Sequence, residues 1–209
     1  NMPKNPITEL MGVSIPNTTL SMKGMNLKQS GALLITHWGM SGPAILKLSA
    51  FCAQHLAKIN YDFTAQINWL SINEEELRHQ FGGFLLSRKL IHNYNPFKIP
   101  KRLWCFFLNK LEISDKQIWS ELSKKNKNRL INMLVNDEFS VNGKTTFKEE
   151  FVTCGGIDLS EVNMLTMQSK QHKEIFFAGE LLNIDGVTGG FNFQACWTTG
   201  YLAGKYSIL

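Results

Sequence analysis

The sequence predicts an α+β chain: a β-patterned region interrupted by a helical insert, then one short strand and one helix of small residues. Three observations predict it. Apolar and polar residues alternate over much of residues 1–70 and again over 139–173, while helical spacing governs 71–138. The last stretch, 174–209, contains "FFAGELLNIDGVTGGFNFQACWTTGYLAG" (Phe176 to Gly204), where two glycine turns separate an apolar run from a small-residue helix.

The elements follow in order. "LMGVSIPNTTLSM" alternates like a strand, with Pro16 and Asn17 expected to make a turn. "ALLIT" is a short apolar strand and "HWGMSGP" a glycine-punctuated turn. Pro43 then opens a helix to about Lys58, since proline at the first helical position costs no hydrogen bond. Its packed face is expected at Leu46, Ser49, Ala50 and Ala53. "DFTAQINWL" (Asp62 to Leu70) returns to strand. Ser71 is expected to cap the next helix, with Glu74 completing a capping box. "NPFKIPKRLWCFFLNKLEI", "SDKQIWSELS" and "SKKNKNRLINMLVN" read as helical pieces, with Leu103, Phe106, Phe107 and Leu111 forming a core stripe. "NG" at Asn142–Gly143 sits between two alternating runs and predicts a hairpin.

Composition narrows the class. Of 209 residues 44% are hydrophobic and 19% charged, the balance of a globular chain. The longest apolar run, "LWCFFL", is far shorter than the ~20 residues of a membrane helix. With no signal-peptide pattern, a cytoplasmic location is expected. Cys52, Cys105, Cys154 and Cys196 lack C-x-x-C spacing, so buried free thiols are expected rather than a zinc ribbon or disulfide framework. The five histidines show no ligand spacing, and no metal is expected. Net charge is +5, with basic residues concentrated in "PFKIPKR" and "SKKNKNR".

The C-terminal passage carries the candidate site. "EIFFAGE" is an apolar strand ending at Gly179–Glu180. In nucleotide-binding α/β sheets, ligands sit beyond the carboxyl ends of strands, and an acid there accepts hydrogen bonds from sugar-like hydroxyls. Gly186, Gly189 and Gly190 make a loop with little bulk. The helix after it contains Ala195, Thr198, Thr199, Gly200, Ala203 and Gly204, small enough for close packing on a sheet. Its N-terminus, near Asn192, favours a negatively polarised group, whether a reduced flavin edge or a phosphate.

Taken together, "GALLITHWGMSGPAILKLS", "FVTCGGIDLSEVNMLTMQSK" and "IFFAGELLNIDGVTGGFNFQACWTTGYLAG" resemble the BaiN-type (YhiN-like) family of bacterial flavoproteins. The resemblance covers essentially the whole chain. It implies FAD- and NAD(P)-linked oxidoreductase chemistry on a small-molecule substrate. It also implies a split Rossmann-like FAD domain into which a β-barrel-like domain and a small helical domain are inserted. On that frame residues 1–70 and 139–173 are the β domain, 71–138 the helical insert, and 174–209 the last strand and helix of the FAD domain.

Carried over by motif, Gly179 and Glu180 approach the ribityl–pyrophosphate part of FAD. Gly189, Gly190, Phe191 and Asn192 lie against the isoalloxazine ring, and the helix they begin stabilises its anionic edge. "TCGG" (Thr153 to Gly156) falls on the substrate side. The family often carries an acid where this chain has Asn183 or Val187. The other FAD-domain half, with its G-x-G-x-x-G, does not occur in these residues. The chain is therefore expected to be the C-terminal portion of an oxidoreductase that binds FAD weakly by itself, does not turn over, and self-associates through an uncovered helix. The second expectation is a non-catalytic module that binds RNA or protein through the basic insert around Lys124, Lys125 and Lys127. Nucleic acid ranks below a small molecule, because no aromatic–basic interleaving is present.

Overall fold

The computed structural model describes residues 2, 4–143, 152–187 and 189–208. The chain divides into two compact units, Asn1–Leu48 with Ile59–Lys144, and Ser49–Lys58 with Thr145–Leu209.

In the first unit, β1 (Ser14–Met22), β2 (Lys28–Thr36), β3 (Gly39–Ser41), β4 (Asp62–Asn68) and β5 (Asp137–Asn142) form one antiparallel sheet, ordered β3-β2-β1-β4-β5. Pro16 and Asn17 do not turn the chain. They lie inside β1 where the register with β2 shifts between Ile15 and Thr18. Proline cannot donate to a ladder, so a strand accommodates it at such an irregularity. The "HWGMSGP" segment is likewise more than a turn, because Gly39–Ser41 pairs back on β2.

Helix α1 spans Pro43–Lys58 and is divided between the units. Its buried line is Ala44, Leu48, Cys52 and Leu56, at four-residue spacing, whereas Leu46 and Ser49 are exposed. The buried line is rotated from the expected face, because α1 carries its own small residues, Ala44, Ser49, Ala50 and Ala53, on more than one side.

The insert runs from β4 to β5, which are themselves neighbours. It contains α2 (Glu74–Phe84), α3 (Lys101–Lys110) and α4 (Lys124–Val135). Asn73, not Ser71, caps α2, its Oδ1 accepting the Glu76 N–H at 2.7 Å. Ser71 instead adopts φ +54° and its hydroxyl accepts from Thr19 of β1 at 3.0 Å. The "SDKQIWSELS" segment makes only a 3-10 turn, Trp119–Glu121. Trp119 is pulled into an aromatic core with Phe81, Phe84, Phe97 and Trp104, and its indole N–H donates to Tyr94 O at 3.1 Å. Leu103, Phe107 and Leu111 are buried as the helical stripe requires, and Phe106 is half-buried. These rings are core.

Asp137 starts β5 beneath this core, 5% exposed. Trp69 Nε1 donates to it at 3.1 Å and Lys110 Nζ lies at 3.4 Å. Burial pushes its pKa above the ordinary 3.8, outweighing the two partners that lower it. A raised native pKa favours the protonated carboxyl, so this group's contribution is fully present below 3.8 and is lost as pH rises through the native value. Asp137→Asn keeps an acceptor for Trp69 without the buried charge. It is expected to raise Tm by a few degrees at pH 7, with the gain vanishing in acid; thermal unfolding at both pH values checks this.

The second unit is smaller. Val162, Met167 and Leu182 form its core, with Ile157, Leu159, Phe177, Ile184, Leu202 and Ala203 packed around them. β6 (Val162–Asn163) and β7 (Gln168–Ser169) pair antiparallel, and α5 spans Phe191–Ser207. The expected strand before Gly179 is an extended run beside β7. Ser169 N–H donates to Ile175 O at 2.8 Å, Phe177 N–H donates to Met167 O at 2.9 Å, and a single bridge joins Gln168 and Phe176. One short neighbour is too little to make it a full strand. The second arm of the "NG" hairpin falls on 144–151, outside the described residues.

Candidate functional site

The glycine turns of the second unit converge on one end of α5. After the extended run, Gly179–Leu181 forms a 3-10 turn with Gly179 at φ +73°. The Gly179 N–H donates to Thr199 Oγ1 at 2.9 Å, and that hydroxyl passes its own proton back to Ala195 O at 2.7 Å. A residue two turns along the helix therefore fixes the turn. Glu180 Oε1 accepts the Thr153 N–H at 3.4 Å.

Asn192 fixes the second turn. Its Oδ1 accepts the Gly186 N–H at 2.7 Å and its Nδ2 donates to Gly186 O at 3.0 Å, a two-bond clamp resembling a strand pair. A side chain at Gly186 would meet Phe191 Cβ at 3.0 Å and Asn192 Oδ1 at 3.2 Å, so the clamp needs glycine there. Gly190 enters α5 at φ +90°, a left-handed conformation that costs glycine little. Among the described residues no side chain caps this helix end. The first-turn N–H groups have no partners within a helix, so the positive end of α5 is available to a ligand.

Between the turns lies a cavity of about 210 Å³, lined by Val152, Gly179, Glu180, Ile184, Gly189, Gly190, Asn192, Phe193, Ala195 and Cys196. Five of the six residues singled out from the sequence thus border one space. Phe191 does not line it; its ring packs over Gly189. Thr188 lies outside the described residues. The sequence reading missed Val152, Ile184, Phe193 and Cys196. Phe193 and Cys196 carry no signal until the phase of α5 is known, and Val152 and Ile184 lie in chain outside that helix.

Cys154 is exposed, unlike the buried Cys52. Partial desolvation, then the neighbouring Asp185 carboxylate, pushes its pKa up. A thiol held protonated is a poor nucleophile. It does not line the cavity. Among the described residues no cluster of three or more metal-ligand side chains forms, and no helix is long and apolar enough to cross a membrane.

An antiparallel sheet with a helical insert between adjacent strands, followed by a glycine-lined cradle on a C-terminal helix, defines a mixed α/β chain of two units. The chain belongs to the HI0933-like protein family: the family's barrel and H2TH domain matches residues 2–152. Apart from Val152, the cradle lies beyond that match.

Curated relatives extend across it. The chain is 29% identical to a ribosomal RNA dihydrouridine synthase of Haemophilus influenzae, over 93% of the chain and 46% of the relative. To the protein of that name in Escherichia coli it is 27% identical, over 92% and 46%. To a 3-dehydro-bile acid delta(4,6)-reductase of Clostridium scindens it is 25% identical, over 97% and 50%. The chain spans about half the length of the curated relatives it matches.

Proposed function

We propose that this chain is the C-terminal part of a cytoplasmic flavin-dependent oxidoreductase that reduces a carbon–carbon double bond conjugated to a carbonyl. The observation that carries this reading is the cavity at the uncapped end of α5, bordered by Gly179, Glu180, Gly189, Gly190 and Asn192. The relatives' names support the bond type. Dihydrouridine is uridine with its ring double bond saturated, and a delta(4,6)-reductase saturates a bond conjugated to a steroid ketone.

The lining suits a flavin. Gly189 and Gly190 hold only backbone toward the space, Phe193 and Ile184 offer apolar contact, and Glu180 is an acceptor for the hydroxyls of a ribityl chain. The N–H groups and dipole at the start of α5 favour negative charge beside them. When bound, FAD would supply two-electron chemistry, moving hydride from NAD(P)H to the substrate. The protein's part is to hold the ring against Ile184 and the glycine backbone and keep the cradle rigid through Asn192 and Thr199. At about 210 Å³ the cavity is smaller than the ~300–1,000 Å³ that encloses a typical ligand. This chain therefore forms one wall of the site, and alone should bind FAD weakly and not turn over.

Asn192→Ala in the complete protein tests the reading. Losing both bonds to Gly186 should weaken FAD binding about 10-fold and leave the first unit's unfolding unchanged. Titration of the apoprotein followed by flavin fluorescence measures it. An unchanged affinity, or a complete protein that binds no flavin, removes the proposal.

A further inference from the structure

Thr199 is the one residue of α5 that is fully buried, 6% exposed, while the other positions of that helix keep some contact with solvent. A threonine thus holds a place where an apolar side chain would serve the packing equally well. Its hydroxyl gives the reason. Oγ1 donates to Ala195 O at 2.7 Å, with Cys196 O at 3.3 Å, and accepts the Gly179 N–H at 2.9 Å. The bond to the carbonyl four residues back is common for threonine in helices and by itself implies no function. It does commit the hydroxyl's single proton to the helix, which leaves the lone pairs for Gly179. Valine would fill the same volume and leave that N–H without a partner.

Gly179 opens the 3-10 turn that carries Glu180, and Ala178 before it supplies no side-chain cap. Thr199 is therefore what fixes the first N–H of the turn. Glu180 itself is exposed, and among the described residues its carboxylate has one hydrogen bond, the 3.4 Å contact with the Thr153 N–H. A bond of that length orients a flexible side chain only weakly. The place of the carboxylate is set by the backbone beneath it, and that backbone is held from Thr199. The other turn has a separate fastening, the two bonds between Asn192 and Gly186. Thr199 does not itself line the cavity.

We propose that Thr199 is a positioning residue for the sugar-like chain of the cofactor. It acts through Gly179 on Glu180 and sets where that carboxylate meets the ribityl hydroxyls. Asn192, through Gly186, governs the ring's side of the cradle instead. The inference rests on the reading that the complete protein binds FAD here, and it divides the cradle into two parts that are fastened independently. An acceptor recognises a hydroxyl over a few tenths of an ångström, so a turn that drifts takes the hydrogen bond with it. The ring's neighbours, Ile184, Gly189 and Gly190, are in chain that Thr199 does not bond.

The test is FAD titration of the complete apoprotein, followed by flavin fluorescence, in four variants: Thr199→Val, Thr199→Ser, Glu180→Ala and the double variant Thr199→Val/Glu180→Ala. Thr199→Val should weaken FAD binding about 10-fold, and Thr199→Ser, which keeps the hydroxyl, should stay within about 3-fold of wild type. Because the valine acts through Glu180, the double variant should bind as Glu180→Ala does, with no further loss. At saturation the visible absorption of the bound flavin should match wild type in Thr199→Val, since the ring's surroundings are untouched, whereas Asn192→Ala should shift it. A second unit that had merely unfolded would give a further loss in the double variant.

Unchanged affinity in Thr199→Val overturns the inference, as does failure of serine to restore binding. Effects of Thr199→Val and Glu180→Ala that multiply would mean that Thr199 does not work through the carboxylate, and a spectral shift in Thr199→Val would mean that the two fastenings are not separate. A complete protein that binds no flavin removes the earlier reading and this one together. One that binds FAD and ignores the valine removes only this one.

Discussion

Gly156→Ala is expected to unfold the second unit under conditions where the wild type is stable. Gly156 sits at φ +137°, and a Cβ placed there would lie 2.6 Å from Leu181 O, 2.7 Å from Leu182 C and 2.8 Å from Leu182 O. All three atoms are backbone and cannot step aside like a side chain. The segment they belong to is pinned on both sides. Ile157 N–H donates to Leu181 O at 2.8 Å, and Asn183 N–H donates to Ile157 O at 3.0 Å. Leu182 between them is fully buried in the small core. Relieving the clash must open this bridge or draw Leu182 out, at a cost of roughly 3–5 kcal/mol.

The neighbouring Gly155 supplies the control. It has φ +111°, but no atom lies within 4 Å of its added Cβ. Gly155→Ala should therefore cost only backbone strain, roughly 1–2 kcal/mol. Denaturant unfolding followed by circular dichroism and by Trp197 emission compares the pair. Equal destabilisation would mean that packing against Leu181 and Leu182 is not what requires glycine.

The second large effect concerns the outer side of α5. Thr199, Leu202 and Ala203 turn toward the unit's core, but Phe193, Trp197 and Tyr201 are each about two-thirds exposed. Phe193 and Trp197 stack at 6.2 Å, and Thr198, Gly200 and Gly204 beside them are exposed as well. The small residues expected to pack on a sheet are thus split between two sides, and the described residues cover only one. Covering three such rings contributes roughly 1–2 kcal/mol each. They present a few hundred Å² per copy, less than the ~800 Å² of a standard interface.

Self-association of these 209 residues should therefore be weak, with a dissociation constant in the micromolar range. Sedimentation should show mass rising with concentration, and Trp197→Ser/Tyr201→Ser should return the chain to a monomer. In the complete protein the same rings should be covered, so Trp197 emission should shift to shorter wavelength. A chain that stays monomeric at hundreds of micromolar, with α5 intact, would contradict this.

Much of this was legible in the sequence where a residue has one physical use. Pro43 marked the first turn of α1, whose limits Pro43–Lys58 follow the apolar pattern. The glycines of the tail marked the turns that border the cradle. Misreadings arose where two residues suit one role and distant chain chooses between them. Ser71 and Asn73 are both good caps, but Thr19 of β1 engages the serine. "SDKQIWSELS" has helical spacing, but Trp119 gains more by entering the aromatic core. The fastening of the cradle was not legible either. Thr199 and Asn192 act across 20 and 6 residues, through hydrogen bonds that no local pattern announces.

One consequence follows from the position of the insert. The insert leaves β4 after Asn68, which still pairs with Thr19 of β1, and re-enters at Asp137, the register partner of Ile67 on the adjacent strand. Its two ends are therefore about 5 Å apart, the gap a short hairpin turn would bridge. A lineage could exchange everything between Asn68 and Asp137 for a larger, smaller or differently charged module without disturbing a single pairing in the sheet. A frame of that kind lets the module change while the sheet that carries it stays the same.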